Sequence, residues 1–139
     1  MNSYTLADIP LGLSQSFDVV VTDSMMDQFG SITADVNPLH LDSAFAREMG
    51  FSDRVVYGML TASFYSTLVG VYLPGRYALF HGIDAGFNAA VFVGDRLTVY
   101  GSVAYISEAI GRIEIKANIT NQHARKVSGA RIKVGFNGP

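Results

Sequence analysis

The sequence has no cysteine, and only 16% of its 139 residues are charged. The absence of cysteine excludes a thiol nucleophile, a disulfide framework and any metal site built on thiolates. A reducing compartment suits such a chain, and we expect the protein to be cytoplasmic.

Positive charge is also scarce, and the formal net charge is −2. The densest group of cations is interpreted as the solvated face of one strand and its turn. Because no continuous basic stripe is present, we expect no nucleic-acid partner, although a few of these charges remain available to the phosphates of a coenzyme. The cations of this group are Arg125, Lys126, Arg131 and Lys133.

Long hydrophobic runs are missing as well. The most apolar segment, residues 59–73, is interrupted by threonines and serines. It falls short of the about 20 apolar residues that a membrane span needs. Residues 1–16 have neither the basic start nor the apolar stretch of a signal peptide. We therefore expect no association with a membrane.

Hydrophobic side chains, in contrast, make up 49% of the sequence. A chain of this length buries roughly two-thirds of its extended surface on folding, so its core needs no disulfide or metal. We expect residues 1–139 to form a single domain, with no room for a separate cofactor domain.

Apolar residues recur at helical spacing in the first half of the chain. They predict a short helix that ends near Thr33. Residues 35–41 are predicted to form a loop, because Pro38 disfavours helical geometry at the residue before it. Asp42 is a candidate cap for another short helix over residues 43–49. The apolar residues of the first helix are Met25, Phe29 and Ile32.

Residues 58–73 give the longest helix prediction, which Pro74 and Gly75 are expected to end. This segment is apolar almost all round. A helix of that kind is normally wrapped by other elements rather than exposed on a surface. It is therefore predicted as the buried centre of the fold.

Beyond this helix the apolar period changes to two, which indicates strands. Residues 97–105, 113–119 and 130–136 alternate apolar and polar side chains, as antiparallel strands with one buried face do. Two more strands are predicted over residues 17–21 and near 78–91. The economical packing is an α+β fold in which a long antiparallel sheet curls around the one central helix.

A carboxylate and an imidazole lie five residues apart in Asp35-Val36-Asn37-Pro38-Leu39-His40. Pro38 stiffens the segment that carries them. Such a pair can hold one water between a proton acceptor and a second proton-transfer group.

A second segment, residues 55–63, opens the predicted central helix with Tyr57-Gly58-Met59. The Gly58 amide lies at the helix N-terminus, where free N–H groups and the helix dipole stabilise negative charge on an oxygen. Addition of water across a double bond conjugated to a carbonyl needs both an acid–base pair and such an oxyanion site.

These motifs resemble those of the (R)-specific enoyl-CoA hydratase, or MaoC-like, family. The resemblance rests on Asp-x-Asn-Pro-x-His at residues 35–40, Gly-Met-Leu-x-Ala-Ser at 58–63 and Val-Phe-Val-Gly-Asp at 91–95. It implies a MaoC-like hot-dog fold over residues 1–139, usually in a homodimer, with no metal and no redox cofactor.

The resemblance also implies an activity: the interconversion of trans-2-enoyl and (R)-3-hydroxyacyl thioesters of coenzyme A or an acyl carrier protein. In this interpretation Asp35 and His40 are the catalytic pair that activates water, and the Gly58 amide binds the thioester oxygen. The candidate substrate-binding residues are Asn37, Tyr57, Met59 and Ser63.

Tyr57 departs from the family pattern, which commonly has histidine before this glycine. We predict that its ring lies at the rim of the oxyanion site and forms an apolar wall with one donor. His81, Asp84 and Asn88 form a second departure, interpreted as an exposed strand face. Together these residues favour a polar or branched acyl group over a straight chain.

Two other functions remain open. A hot-dog thioesterase is one, but such enzymes more usually place a carboxylate on the central helix, and residues 55–79 contain no Asp or Glu. A non-catalytic subunit that binds acyl thioesters is the other, with Tyr57 marking a lost activity. The presence of both Asp35 and His40 argues against it.

Overall fold

The computed structural model describes residues 1–138. One strand precedes the helices of the first half, and the other four strands follow them. A turn of 3-10 helix, Leu6–Asp8, precedes the first strand, and the π-helical residues Leu68–Tyr72 extend the last helix. In chain order the elements are β1 (Ser14–Val20), α1 (Asp23–Thr33), α2 (Pro38–Leu41), α3 (Ser43–Glu48), α4 (Gly58–Thr67), β2 (Ala78–Phe87), β3 (Arg96–Ser107), β4 (Arg112–Thr120) and β5 (Lys126–Phe136).

The five strands form one antiparallel sheet in the order β1-β3-β4-β5-β2. The alternating sequence explains its two faces, because successive side chains of a strand point to opposite sides. In β4, Ile113 and Ile115 are fully buried, whereas Lys116 is exposed on the outer face. The strands predicted from the period of two are thus confirmed, and β2 forms one edge of the sheet.

The inner face of the sheet packs against α4, which confirms the predicted α+β architecture. Leu60 and Tyr65 of α4, and Leu68 directly after it, are buried in the same core as the strand residues. One face of the helix is nevertheless open: Met59 is 66% exposed and Ser63 is also exposed. The prediction of a fully wrapped helix is wrong for this face, because the single sheet of one chain covers only the opposite side.

A buried chain of hydrogen bonds fixes α4 to the sheet. The Tyr65 hydroxyl donates to Ser128 Oγ at 2.9 Å, and Ser128 Oγ donates to the carbonyl oxygen of Gly86 at 2.8 Å. Each polar group buried here therefore has a partner, as burial requires. The chain ties the central helix to β5 and β2, which neighbour each other in the sheet.

The helices before α4 agree with the sequence except at one place. α1 ends at Thr33 as predicted, and Asp42 caps α3 by accepting hydrogen bonds from two backbone amides. The loop prediction for residues 35–41 is wrong, since Pro38–Leu41 is the short helix α2. Proline is well tolerated in the first turn of a helix, where its missing N–H would have no acceptor. Within residues 1–138, no helix is long and apolar enough to cross a membrane.

Candidate active site

Asp35 directly follows α1, at a point where the chain turns sharply. Ala34 has a left-handed conformation (φ 56°) that ends the helix. The Asp35 carboxylate then accepts a hydrogen bond from the backbone N–H of Asn37 at 3.1 Å. This bond orients an exposed carboxylate at the start of the segment that leads to His40.

Asn37 is the cap of α2. Its side-chain oxygen accepts a hydrogen bond from the backbone N–H of Leu39 at 3.0 Å. The side chain therefore shapes the turn that carries Asp35 and His40. A contact between Asn37 and a substrate stays a prediction.

The ring of His40 is held in one orientation by the backbone. Its Nδ1 lies 2.8 Å from the carbonyl oxygen of Val55. Because a carbonyl oxygen only accepts hydrogen bonds, Nδ1 carries the hydrogen, and a neutral ring has its lone pair on Nε2. The hydrogen bond at Nδ1 leaves Nε2 as the second nitrogen of a half-buried ring.

The extended segment before α4 supports this histidine. The Val55 N–H donates to the carbonyl oxygen of Leu39 at 3.0 Å, and the Val56 N–H donates to that of Val91 at 2.8 Å. α2 is in this way connected through residues 55–56 to the loop that precedes β3. His40 is therefore held by backbone contacts between segments that lie far apart in the sequence.

Tyr57 lies behind the site and not at its rim. Its side chain is only 1% exposed, and its hydroxyl donates a hydrogen bond to the backbone carbonyl oxygen of Asp35 at 3.1 Å. Its ring packs against the rings of His40 and Phe29, with centroids 4.3 and 4.8 Å away. Burial, and then the nearby carboxylate of Asp35, raises the pKa of Tyr57 above its ordinary value. The geometry does not support the predicted exposed wall with a donor for the substrate, because the donor already has an acceptor inside the protein.

A cavity of about 420 Å³ opens in front of His40 and Gly58. Gly58 is the first residue of α4, where an amide has no acceptor within its own helix. The Phe87 ring lies so close that a β-carbon at position 58 would be 3.4 Å from it. The other lining residues include Phe51, Val55, Val56, Thr61, Asn88, Ala89, Ala90, Val91 and Val127.

The two remaining candidates, Met59 and Ser63, line a second cavity of about 700 Å³ between α1, α4 and β2. The Ser63 hydroxyl donates to the carbonyl oxygen of Leu60 at 2.6 Å, so it is bonded within its own helix. Phe87 lines both cavities. A role for Met59 and Ser63 in substrate binding stays a prediction, and these residues belong to a different cavity from His40.

Among the lining residues of the first cavity that sequence reasoning did not assign to the site, Thr61 is a buried polar one. It is 2% exposed, and its hydroxyl has no hydrogen-bond partner among residues 1–138. In the sequence it is one of several polar interruptions of an apolar helix. Its spacing of three from Gly58, which places both residues on one helix face, was the available signal.

This combination of fold and site defines the class of protein. A family model described as MaoC like domain matches residues 10–127. The chain therefore belongs to the MaoC-like domain family.

Two curated relatives and one solved structure are similar to the chain. An (R)-specific enoyl-CoA hydratase from Aeromonas caviae is 42% identical over 80 residues, which cover 58% of this chain and 60% of the relative. A 3-hydroxybutyryl-CoA dehydratase from Methylorubrum extorquens is 34% identical over 97 residues, covering 70% and 62% of the two chains. The structure of the A. caviae (R)-hydratase involved in PHA biosynthesis matches with a TM-score of 0.88 and 29% identity, over 93% of this chain and 98% of that one. The expected hot-dog fold is thereby confirmed. The chain matches about three-fifths of the length of the two curated relatives.

Proposed function

We propose that the protein is an (R)-specific hydro-lyase, which adds water to trans-2-enoyl thioesters and removes it from (R)-3-hydroxyacyl thioesters. The observation that carries this proposal is the fixed orientation of the His40 ring, whose Nδ1 forms a hydrogen bond with the carbonyl oxygen of Val55. Its Nε2 is left for proton transfer beside a cavity that the N-terminus of α4 also lines. The names of the similar proteins support the same reaction.

In the hydration direction, a water molecule is held between His40 Nε2 and the carboxylate of Asp35. The pair removes one proton from this water as its oxygen bonds to C3 of the enoyl group. Electrons of the double bond move toward the thioester carbonyl, where the Gly58 N–H stabilises the negative charge that develops. A proton then passes from the pair to C2, so that the pair returns to its starting state and water is consumed.

Addition to a single face of the double bond follows from a fixed base and a fixed carbonyl site. The Asx turn at Asp35 and the cap at Asn37 hold the acid–base segment, and α4 holds the amide. We propose thioesters of coenzyme A or of an acyl carrier protein as substrates, within fatty acid metabolism in the cytoplasm.

We also propose that residues 1–139 act as one domain in a homodimer. β2 is an edge strand, and edge strands offer unpaired backbone groups to a second chain. Beside this edge, exposed Phe80, Ile83 and Phe87 line the second cavity. A second copy packed on this face would cover these side chains and add a wall next to Phe87, which both cavities share.

The reaction is tested by following the consumption of crotonyl-CoA and the configuration of the 3-hydroxy product. We expect hydration by the wild type and a loss of kcat on the order of 10²–10⁴ in Asp35→Asn, the range of acid–base groups. The matched control is Asp18→Asn, which changes an exposed carboxylate on β1 and is expected to keep wild-type turnover. Hydrolysis of the thioester by the wild type, or undiminished hydration by Asp35→Asn, would contradict the proposed reaction.

A further inference from the structure

Thr61 carries a buried hydroxyl that has no hydrogen-bond partner among residues 1–138. The side chain is 2% exposed, and Oγ1 makes no hydrogen bond to any of residues 1–138. A buried hydroxyl without a partner costs about 1–3 kcal/mol, and buried polar groups in native proteins are therefore nearly always paired. The hydroxyls of Tyr65 and Ser128, buried elsewhere on the same core, are paired in this way.

The usual local partner of a helical threonine is already engaged. A threonine hydroxyl in a helix commonly donates to the carbonyl oxygen four residues earlier, here that of Tyr57. This oxygen instead accepts hydrogen bonds from the backbone N–H groups of Leu60 and Thr61, at 3.1 and 3.2 Å. The Thr61 hydroxyl therefore remains available to an acceptor from outside the helix.

The position of Thr61 indicates where that acceptor would lie. Thr61 and Gly58 are three residues apart on α4, and both line the cavity in front of His40. Side chains on a helix tilt toward its N-terminus, so the Thr61 side chain extends back toward the level of the Gly58 amide. The Gly58 N–H and the Thr61 hydroxyl can therefore both donate hydrogen bonds to one oxygen atom bound at the start of α4.

We propose that Thr61 Oγ1 donates a hydrogen bond to the carbonyl oxygen of the bound acyl thioester, as a second donor beside the Gly58 amide. The inference rests on the proposed function, since it takes the thioester as the ligand of this cavity. The hydroxyl strengthens its bond as negative charge develops on the oxygen, so it acts mainly in the transition state.

The test compares Thr61→Val, which keeps the shape and removes the hydroxyl, with Thr61→Ser, which keeps the hydroxyl. We expect kcat for crotonyl-CoA to fall on the order of 10²-fold in Thr61→Val, the scale of one oxyanion donor, and to stay within about tenfold of the wild type in Thr61→Ser. The melting temperature of Thr61→Val should not fall, because the hydroxyl makes no hydrogen bond to residues 1–138 that could be lost. Thr98→Val, on the outer face of β3, is the matched control and should change neither kcat nor the binding of ligand.

A second measurement reports the hydrogen bond itself. Butyryl-CoA labelled with carbon-13 at its thioester carbonyl cannot react, and its carbonyl stretching band moves to lower frequency when the oxygen accepts hydrogen bonds. We expect the band of the bound ligand to lie at higher frequency in Thr61→Val than in the wild type, in Thr61→Ser and in Thr98→Val.

An unchanged band together with unchanged kcat in Thr61→Val would overturn the inference, and the hydroxyl would then serve a trapped water. A wild type that binds butyryl-CoA with this band shift but does not hydrate crotonyl-CoA would remove the proposed reaction and leave the hydrogen bond standing. A wild type that neither hydrates nor binds the thioesters would overturn both.

Discussion

The hydroxyl of Tyr57 donates a hydrogen bond to the backbone carbonyl oxygen of Asp35, across 22 positions of sequence and a distance of 3.1 Å. The same tyrosine ring packs on the ring of His40. One buried side chain therefore contacts both members of the proposed catalytic pair without facing the cavity. We infer that Tyr57 is a positioning residue, which sets where the carboxylate of Asp35 stands relative to His40.

Tyr57→Phe should lower kcat by about the same factor for a plain enoyl thioester and for one with a polar acyl group. The variant keeps the ring and removes the bond that holds Asp35, and a displacement of about 1 Å at a reacting group costs up to the order of 10²-fold. Steady-state kinetics on the two substrates measure the effect. Tyr105→Phe, an exposed tyrosine on β3, serves as the control and should behave like the wild type.

A loss confined to the polar substrate would contradict this positioning role. It would restore the interpretation from sequence, in which the hydroxyl recognises the acyl group. An unaltered kcat on both substrates would mean that the ring alone supports the site.

Stability should fall at alkaline pH in a way that depends on Tyr57. Burial, and then the Asp35 carboxylate, raises the pKa of Tyr57 above the ordinary value of 10.0. Between these two pKa values the unfolded chain has released the Tyr57 proton, while the native protein retains it. The contribution of Tyr57 to stability is therefore complete below pH 10.0 and is lost as the pH rises through the native pKa. Urea unfolding on either side of this value should show a smaller alkaline loss in Tyr57→Phe than in the wild type. The same loss in both proteins would show that Tyr57 does not titrate in this range.

The sequence predicts the elements that depend only on interactions between neighbouring residues. The alternation of β4 and β5, the Asp42 cap and the end of α1 each follow from a few neighbouring residues, and all three agree with the structure. The short helix α2 is not predicted by the rule that proline disfavours helical geometry at the residue before it, although Asn37 before Pro38 is a helix start signal.

The contacts that shape the site were beyond such local patterns. The hydrogen bond from Tyr57 to Asp35 and the one between His40 and Val55 join residues 22 and 15 positions apart, and such distant contacts leave no local pattern in the sequence. The spacing of Asp35 and His40 predicts an acid–base pair, and it gives no sign of these supporting contacts. The role of Tyr57 was assigned from its place beside Gly58, whereas its side chain points into the core.

Ser128→Ala should destabilise the fold by about 1–3 kcal/mol. The variant leaves the buried Tyr65 hydroxyl without its acceptor and removes the hydrogen bond that Ser128 donates to the Gly86 carbonyl oxygen. Adding Tyr65→Phe to this variant should recover part of the loss, because one unpaired group is then removed as well. Urea unfolding of the two single variants and the double variant measures the coupling. Additive losses would show that the two hydroxyls are independent, and Ser16→Ala on the exposed face of β1 provides the baseline.

Ile83→Asp should convert the proposed dimer into a monomer. Ile83 is 44% exposed on the edge strand β2 and lines the apolar second cavity, where a buried carboxylate in a dimer would have no partner. Light scattering after size-exclusion chromatography measures the mass. Ile110→Asp is the matched control, since Ile110 is 65% exposed in the turn between β3 and β4, and it should leave the mass unchanged. A wild type that runs as a monomer, or an Ile83→Asp protein that remains a dimer, would place the interface elsewhere or remove it.

His40→Asn should separate the structural task of the histidine from its chemical one. The amide nitrogen of asparagine takes the place of Nδ1 and can donate to the Val55 carbonyl oxygen, but nothing replaces Nε2. We therefore expect a melting temperature close to that of the wild type and a kcat lower on the order of 10²–10⁴. His123→Asn, in the exposed turn before β5, is the control and should leave both quantities unchanged. His40→Gln, whose longer amide reaches toward the place of Nε2, should bind water but not exchange its proton, and its kcat should be as low. Substantial turnover in either His40 variant would show that Asp35 alone performs the proton transfers and that the ring only supports it.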